Sequence, residues 1–170
     1  MALGDIILGD GVFSFVANAS TVSIDFGLTR GGGQFVVERE FRDIEADGDY
    51  GPVQNRVRQV RQVPKLTLRG LELVSTDFGS FYAGTAATSS TWSGTLTTPT
   101  TSEFLASVSF TGETLGGKDV VITLTNAINR ENIDWNMVDK EEVLPEVTFT
   151  GHYDNAARTT PPWTVTWSTA

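Results

Sequence analysis

The stretch VSIDFGLTRGGGQFVVEREFR (22–42) decides the fold class, because apolar and polar residues alternate on both sides of a glycine cluster. Residues 22–28 carry an apolar side chain at every second position, which is the period-two pattern of a half-buried β-strand. Residues 35–42 show the same alternation. We therefore expect a β-hairpin whose turn is Gly31–Gly33, since no helix is predicted to follow that could use these glycines to hold a phosphate.

Period-two alternation recurs further along the chain, in segments separated by short polar or glycine-containing turns. These segments are residues 103–112, 118–128, 131–139, 144–153 and 163–167. Seventeen glycines and abundant threonine also favour strands and tight turns over helices. We predict one all-β domain over residues 1–170, an antiparallel β-sandwich or barrel.

One short flanking α-helix is predicted within this fold. Ser75 or Thr76 can cap its N-terminus, and apolar residues from Val74 to Tyr82 recur at helical spacing. Gly84 can end it. Its apolar stripe is expected to cover one end or face of the sheet system.

Residues 56–73 form a long extended stretch with two interruptions. Pro64 cannot donate a hydrogen bond to a strand ladder, so the part before it is predicted to be an edge strand or an arm. At Gly70 the alternation changes phase, which is typical of a β-bulge.

The turn DIEADGDYGPVQ (43–54) carries four acidic residues at alternate positions. Acids followed by Gly48 are similar to the start of a calcium-binding loop. However, Gln54 stands where an EF-hand needs a bidentate glutamate, and both flanks have strand patterns. The EF-hand interpretation fails, a cation site of another kind is the only metal interpretation left, and we predict no metal or cofactor.

A basic segment follows the acidic turn. Residues 56–69 hold five of the twelve Lys and Arg residues and no acid. The two legs can neutralise each other within a hairpin, or the acids of one copy can pair with the bases of another in a head-to-tail contact that closes into a ring. The residues predicted to make the contact between copies are Asp43, Glu45, Asp47, Asp49, Tyr50, Arg56, Arg58 and Arg61.

Composition disfavours several classes of function. The formal net charge of −9 is unsuited to tight nucleic-acid binding, which depends on neutralising phosphates. The absence of cysteine excludes disulfides, thiol catalysis and cysteine-ligated zinc. His152 is the only histidine, and the neighbours Glu141 and Glu142 would point to opposite faces of a strand. No enzyme is predicted.

The remaining sequence features concern location and ligands. The N-terminus lacks the basic residues of a secretory signal and no apolar run approaches the length of a membrane span, so we expect a soluble protein made in the cytoplasm. Trp92 lies in a polar loop and is expected to be exposed, whereas the other tryptophans are expected to pack in the core. An exposed Trp92 would suit the alternative of a carbohydrate-binding or adhesin module.

Three stretches carry a likeness to a known family: GGGQFVVEREFRDIEADGDYGPVQNRVRQVRQVPKLTLRGLEL (31–73), TNAINRENIDWNMVDKEEVLPEVTFTGHYD (125–154) and NAARTTPPW (155–163). In these stretches the chain resembles the tail tube proteins, also called major tail proteins, of long-tailed siphophages. The likeness covers most of the chain in order and is weakest at residues 85–112.

The resemblance implies a β-sandwich or barrel with one flanking helix, which agrees with the alternation patterns. Proteins of this family form hexameric rings that stack into the hollow, non-contractile tube through which the genome is ejected. A long loop between early strands reaches neighbouring subunits, and here it corresponds to about Asp43 to Val63. Residues 1–10 and 155–170 correspond to terminal segments that contact neighbouring rings.

The resemblance also implies a location in the virion tail after synthesis in the host cytoplasm. Tail terminator, tape measure and distal tail proteins are the implied partners, with no membrane insertion. DNA would pass through an acidic lumen without specific binding, because the chain is acidic. The inner tubes of contractile tails and secretion-system rings are related alternatives. We further expect residues 43–63 to be mobile in the monomer, and reversal of Arg56, Arg58 and Arg61 to Glu to prevent polymerisation.

Overall fold

The computed structural model describes residues 7–18, 23–70, 81–88, 90–96 and 98–168, and these ranges form ten β-strands. In chain order the strands are β1 (Ile7–Val16), β2 (Ser23–Asp25), β3 (Thr29–Asp43), β4 (Val57–Gly70), β5 (Thr85–Ala87), β6 (Trp92–Gly94), β7 (Leu105–Thr114), β8 (Asp119–Ile128), β9 (Glu146–Gly151) and β10 (Trp163–Trp167). A short 3-10 turn, Thr101–Glu103, precedes β7. The predicted all-β class is confirmed.

The main sheet contains eight strands, all paired antiparallel. Seven of them follow the order β2-β1-β7-β8-β9-β4-β3, and β10 is added beside β8. β9 and β10 share one edge of β8, since β10 pairs with Val120–Leu124 and β9 with Ala127–Ile128. Strands β5 and β6 form a separate hairpin.

The sheet curls without closing into a barrel. No ladder joins β1 to β3 among the described residues, yet Phe13 on β1 lies directly against Gly33 on β3. A Cβ atom on Gly33 would stand 2.5 Å from Cζ of Phe13. The absence of a side chain at this position therefore lets the two strands approach.

Aromatic rings fill the core inside the curled sheet. Phe26 stacks on Phe81 with ring centroids 4.8 Å apart, and Phe15 meets Phe81 edge-on at 5.4 Å. Phe149 on β9 closes the cluster and is fully buried. The alternation in the sequence correctly marks Phe26 and Phe149 as inward-facing, because successive side chains of a strand point to opposite faces, but Leu28, which continues the pattern of Phe26, is 63% exposed.

The predicted hairpin over residues 22–42 is wrong. β2 pairs with β1, and β3 pairs with β4. Gly31 and Gly32 have φ values of +87° and +76° and form a bulge inside β3, where the register shifts by two residues against β4. Glycine adopts these angles at little cost, so the cluster kinks a strand instead of turning the chain.

The predicted helix lies mostly in residues 71–80, outside the described residues. Its expected last turn is visible in part: Phe81 and Tyr82 are buried in the core, and Gly84 has a φ of +74°. The predicted phase change after Gly70 also falls at the limit of the described residues.

The prediction made from Pro64 is confirmed. β4 pairs with β9 only over Lys65–Arg69, whereas Val57–Val63 pairs with β3 alone. The chain before Pro64 is therefore a two-stranded projection from the sheet. We call residues 38–63 the arm.

Candidate assembly interface

The arm consists of the ends of β3 and β4 and the loop 44–56 that joins them. In its two strands Glu38 lies opposite Val63 at one end and Asp43 lies opposite Val57 at the other. Neither strand has a further partner strand in this part of the described chain. At the base of the arm, Trp163 Nε1 donates a hydrogen bond of 3.0 Å to Gln62 Oε1. A two-stranded ribbon is only marginally stable in water, so its exposed surface gains from a partner.

The structure divides the region predicted as one long loop, residues 43–63. Val57–Val63 belongs to β4, and the loop proper begins where the Ile44 amide donates to the Arg56 carbonyl at 2.9 Å. The hairpin that was one of the two interpretations of the charge pattern is thus present. Mobility of this region in the monomer stays a prediction.

Asp49 and Arg56 form an ion pair with each other inside the loop. Arg56 Nη1 donates to Asp49 Oδ2 at 2.7 Å, and the Ala46 amide donates to the same oxygen at 2.7 Å. The Asp49 side chain is only 19% exposed. This pair holds the loop in shape, and the contact predicted for Asp49 and Arg56 with another copy stays a prediction.

The other acidic residues predicted for the contact remain accessible. Asp43, Glu45 and Asp47 are exposed, and none forms an ion pair with a described residue. Gly48, with a φ of +95°, makes the turn between Asp47 and Asp49. The end of the arm therefore presents three unpaired carboxylates.

A bulge at Val60 changes the facing of the β4 side of the arm. Glu40 is opposite Arg61, and Phe41 is opposite Gln59, so Val60 is an extra residue without a partner. Residues three apart on a regular strand point to opposite faces. The bulge overrides that rule and sets residues 58 and 61 on the same face.

The result is an arginine face on the arm. Arg42 lies opposite Arg58, and Arg61 lies two pairs further along, opposite Glu40. All three arginines are exposed, and none forms an ion pair within the described residues. We call Arg42, Arg58 and Arg61 the arginine face. Of these, Arg42 was not predicted as a contact residue, because its alignment with Arg58 depends on strand register.

The arm also exposes large apolar side chains. Phe41 is 54% exposed, and the Arg39 guanidinium lies 5.7 Å from its ring centroid. The exposed apolar residues of the arm are Phe41, Ile44, Tyr50, Val53, Val57 and Val60. So many on one projection are unusual for a surface that stays in water, and such patches mark interaction sites.

The prediction that Trp92 is exposed is wrong. Its ring is half-buried, stacks on Trp135 at 5.7 Å and packs against Tyr82 at 5.5 Å. The polar neighbours in sequence gave no sign of this contact, which joins residues 43 positions apart. The aromatic surface that a carbohydrate-binding module would need is absent at this position.

His152 borders the cleft of about 380 Å³ between β8, β9 and the 3-10 turn. Its Nδ1 lies 2.9 Å from the carbonyl of Thr150, and its ring packs edge-on against Phe104. Neither contact provides an acid–base partner. The neighbours Glu141 and Glu142 are both exposed, and Glu142 accepts from Arg30 at 3.0 Å.

Two further observations concern metals and membranes. In the described ranges, no three His, Cys, Asp or Glu side chains are grouped so that they could hold a metal ion. The same ranges contain no helix with the length and hydrophobicity of a membrane span.

The two terminal segments expected to contact neighbouring rings contribute strands to the chain's own sheet. Residues 7–10 begin β1, and residues 163–167 form β10. Residues 1–6 and 169–170 lie outside the described residues.

Comparison with protein-family models gave no match, and no curated protein matches the sequence. The likeness to tail tube proteins accordingly rests on the three quoted stretches of sequence.

Proposed function

We propose that the protein is a structural subunit that assembles with copies of itself into the stacked hexameric rings of a non-contractile phage tail tube. The observation that carries this proposal is the arm, a projection that combines an arginine face, exposed apolar side chains and an acidic end. The number of six subunits and the stacking of rings rest on the sequence resemblance.

The arm favours assembly for physical reasons. Its strands have unpaired edges that can accept another strand, and its apolar residues would be buried only by a second surface. When a projection on one copy contacts a different surface on the next copy, the contact is head-to-tail. Such contacts close into a ring when the rotation between copies permits it. The charges fix the direction and register of such contacts more than they add to affinity.

The acidic composition fits a conduit for DNA. A net charge of −9 on each copy gives an assembled ring a strongly negative field. A negatively charged channel wall repels phosphates, so DNA passes through the tube without the contacts that would slow it. In this proposal the protein is located in the virion tail, and tail terminator, tape measure and distal tail proteins contact the ends or interior of the tube.

Electron microscopy of the purified protein tests the proposal directly. We expect negatively stained rings or tubes with a central channel, together with a concentration-dependent shift to large species in sedimentation velocity. A chain that stays monomeric at every concentration and ionic strength would contradict self-assembly. Filled particles or simple dimers would contradict the tube.

A further inference from the structure

A second exposed surface lies in the connection between β8 and β9, residues 129–145. This β8–β9 connection has no regular secondary structure, yet three large apolar side chains are exposed on it. They are Ile133, Met137 and Val138, of which Met137 is 74% exposed. Monomeric proteins rarely leave such residues grouped in water.

The β8–β9 connection is held in place at several points. Trp135 is half-buried and stacks on Trp92. The Gly70 amide donates to the Pro145 carbonyl at 3.1 Å, and the Ala83 amide donates to the Asn129 carbonyl at 3.1 Å. The exposed apolar side chains are thus presented by an anchored segment, which lowers the entropic cost of binding.

The charges around this apolar surface are complementary to the arm. Residues 131–141 contain one lysine and four acids, all exposed. The acids are Glu131, Asp134, Asp139 and Glu141, and none forms an ion pair with a described residue. The arm offers the opposite charge on its arginine face, whereas its exposed Phe41 and Val57 lie on the other face of the ribbon.

We propose that the β8–β9 connection of a second copy is the docking surface for the arginine face of the arm. This inference rests on the proposed self-assembly and names the surface that the arm contacts. Within one copy, no ion pair joins the arm to the connection among the described residues. In this proposal the complementary surfaces meet between copies.

Symmetry distinguishes this contact from pairing between two arms. If the acids at the end of one arm paired with the arginine face of another, the reverse pair could form at the same time. If both pairs form, the contact is isologous and stops at two copies. Contact between the arm and the β8–β9 connection uses two different surfaces, so each copy keeps one free surface and a ring can grow.

Charge reversal in pairs tests the proposal. In the arm variant, Arg42, Arg58 and Arg61 are replaced by Glu, and in the connection variant, Asp134, Asp139 and Glu141 are replaced by Lys. We expect each variant to fold, with the circular dichroism spectrum of the wild type, and to lose assembly affinity by about tenfold or more. Combining the two sets in one chain should restore assembly.

The outcomes separate this docking surface from self-assembly as such. A connection variant that assembles like the wild type overturns the docking surface and leaves the tube proposal intact. Rescue of the arm variant by Asp43→Lys, Glu45→Lys and Asp47→Lys would also overturn it, in favour of contact between arms. A wild-type chain that never assembles would overturn both proposals.

The absence of cysteine allows a second test that leaves all charges in place. A chain carrying Val60→Cys and Val138→Cys, joined by a short bis-maleimide, should give a ladder of covalent oligomers. The matched control carries Val60→Cys and Leu115→Cys. Leu115 lies in the turn between β7 and β8 and is 52% exposed, against 46% for Val138. A ladder from the control alone, or from neither chain, would overturn the docking surface.

Discussion

Arg42 lies directly opposite Arg58 across the two strands of the arm, so two guanidinium groups share one exposed face. Like charges at directly opposite positions destabilise a strand pair. A folded monomer gains nothing from this arrangement, whereas an acidic surface on another copy would be attracted to it.

The first prediction is that Arg58→Gln changes stability and assembly in opposite directions. Removing the repulsion should raise the free energy of unfolding by about 0.2–1 kcal/mol, as measured by urea denaturation of the monomer. Assembly should weaken, as measured by sedimentation velocity. Arg56→Gln is the matched control. Arg56 is paired with Asp49, so its replacement removes a charge without relieving a repulsion and should not raise the free energy of unfolding. A gain in both stability and assembly for Arg58→Gln would contradict this account.

The second prediction concerns the loop at the end of the arm. Asp49→Asn should weaken the contacts to Arg56 and to the Ala46 amide, because the charge on the acceptor is lost. We expect faster hydrogen exchange over residues 44–56, with a change in global stability below about 1 kcal/mol, since partly exposed ion pairs contribute little. Asp47 lies two residues away in the same turn and forms no ion pair with a described residue, so Asp47→Asn should leave hydrogen exchange unchanged. Equal effects of the two substitutions would refute the role of Asp49.

Local alternation in the sequence predicted the β class but did not identify neighbouring strands. It also wrongly predicted a strand at residues 131–139, where Ile133 and Met137 are exposed, and Trp167, expected in the core, is 54% exposed. Gly31–Gly33 is compatible with a turn and with a bulge, and only the distant pairing of β3 with β4 decides between them. In contrast, Pro64 carried its own signal, because a missing backbone donor limits pairing wherever the chain folds.

The candidate interface could be predicted only in part for the same reason. The charges of residues 43–61 were visible in the sequence, and the hairpin was one of two interpretations. The arginine face depends on the bulge at Val60, for which no local residue pattern gives a signal. The internal pairing of Asp49 with Arg56 likewise appears only when the loop has a defined shape.

The third prediction tests the close approach that curls the sheet. Gly33→Ala places a Cβ atom 2.5 Å from Cζ of Phe13 and 2.7 Å from the carbonyl oxygen of Thr67, so the two strands must separate. We expect a loss of about 1–3 kcal/mol in the free energy of unfolding, measured by chemical denaturation. Gly9→Ala on β1 is the control, because its Cβ would have no atom within 4 Å. Equal stability of the two variants would show that the contact of Phe13 with Gly33 does not limit the curl.

The fourth prediction concerns alkaline pH. Burial raises the pKa of the Tyr82 hydroxyl above its ordinary value of 10.0, and the neighbouring Trp135 side chain opposes the shift in part. Because the folded state holds this proton more tightly than the unfolded state, the contribution of Tyr82 to stability is fully present below pH 10 and is lost as the pH rises through the raised pKa. Urea denaturation from about pH 9 to pH 11 should therefore show a steeper loss of stability for the wild type than for Tyr82→Phe, which retains the ring. Tyr50→Phe, at the exposed end of the arm, should follow the wild-type curve. Parallel curves for the wild type and Tyr82→Phe would show that the hydroxyl at this position is as well solvated in the folded chain as in the unfolded one.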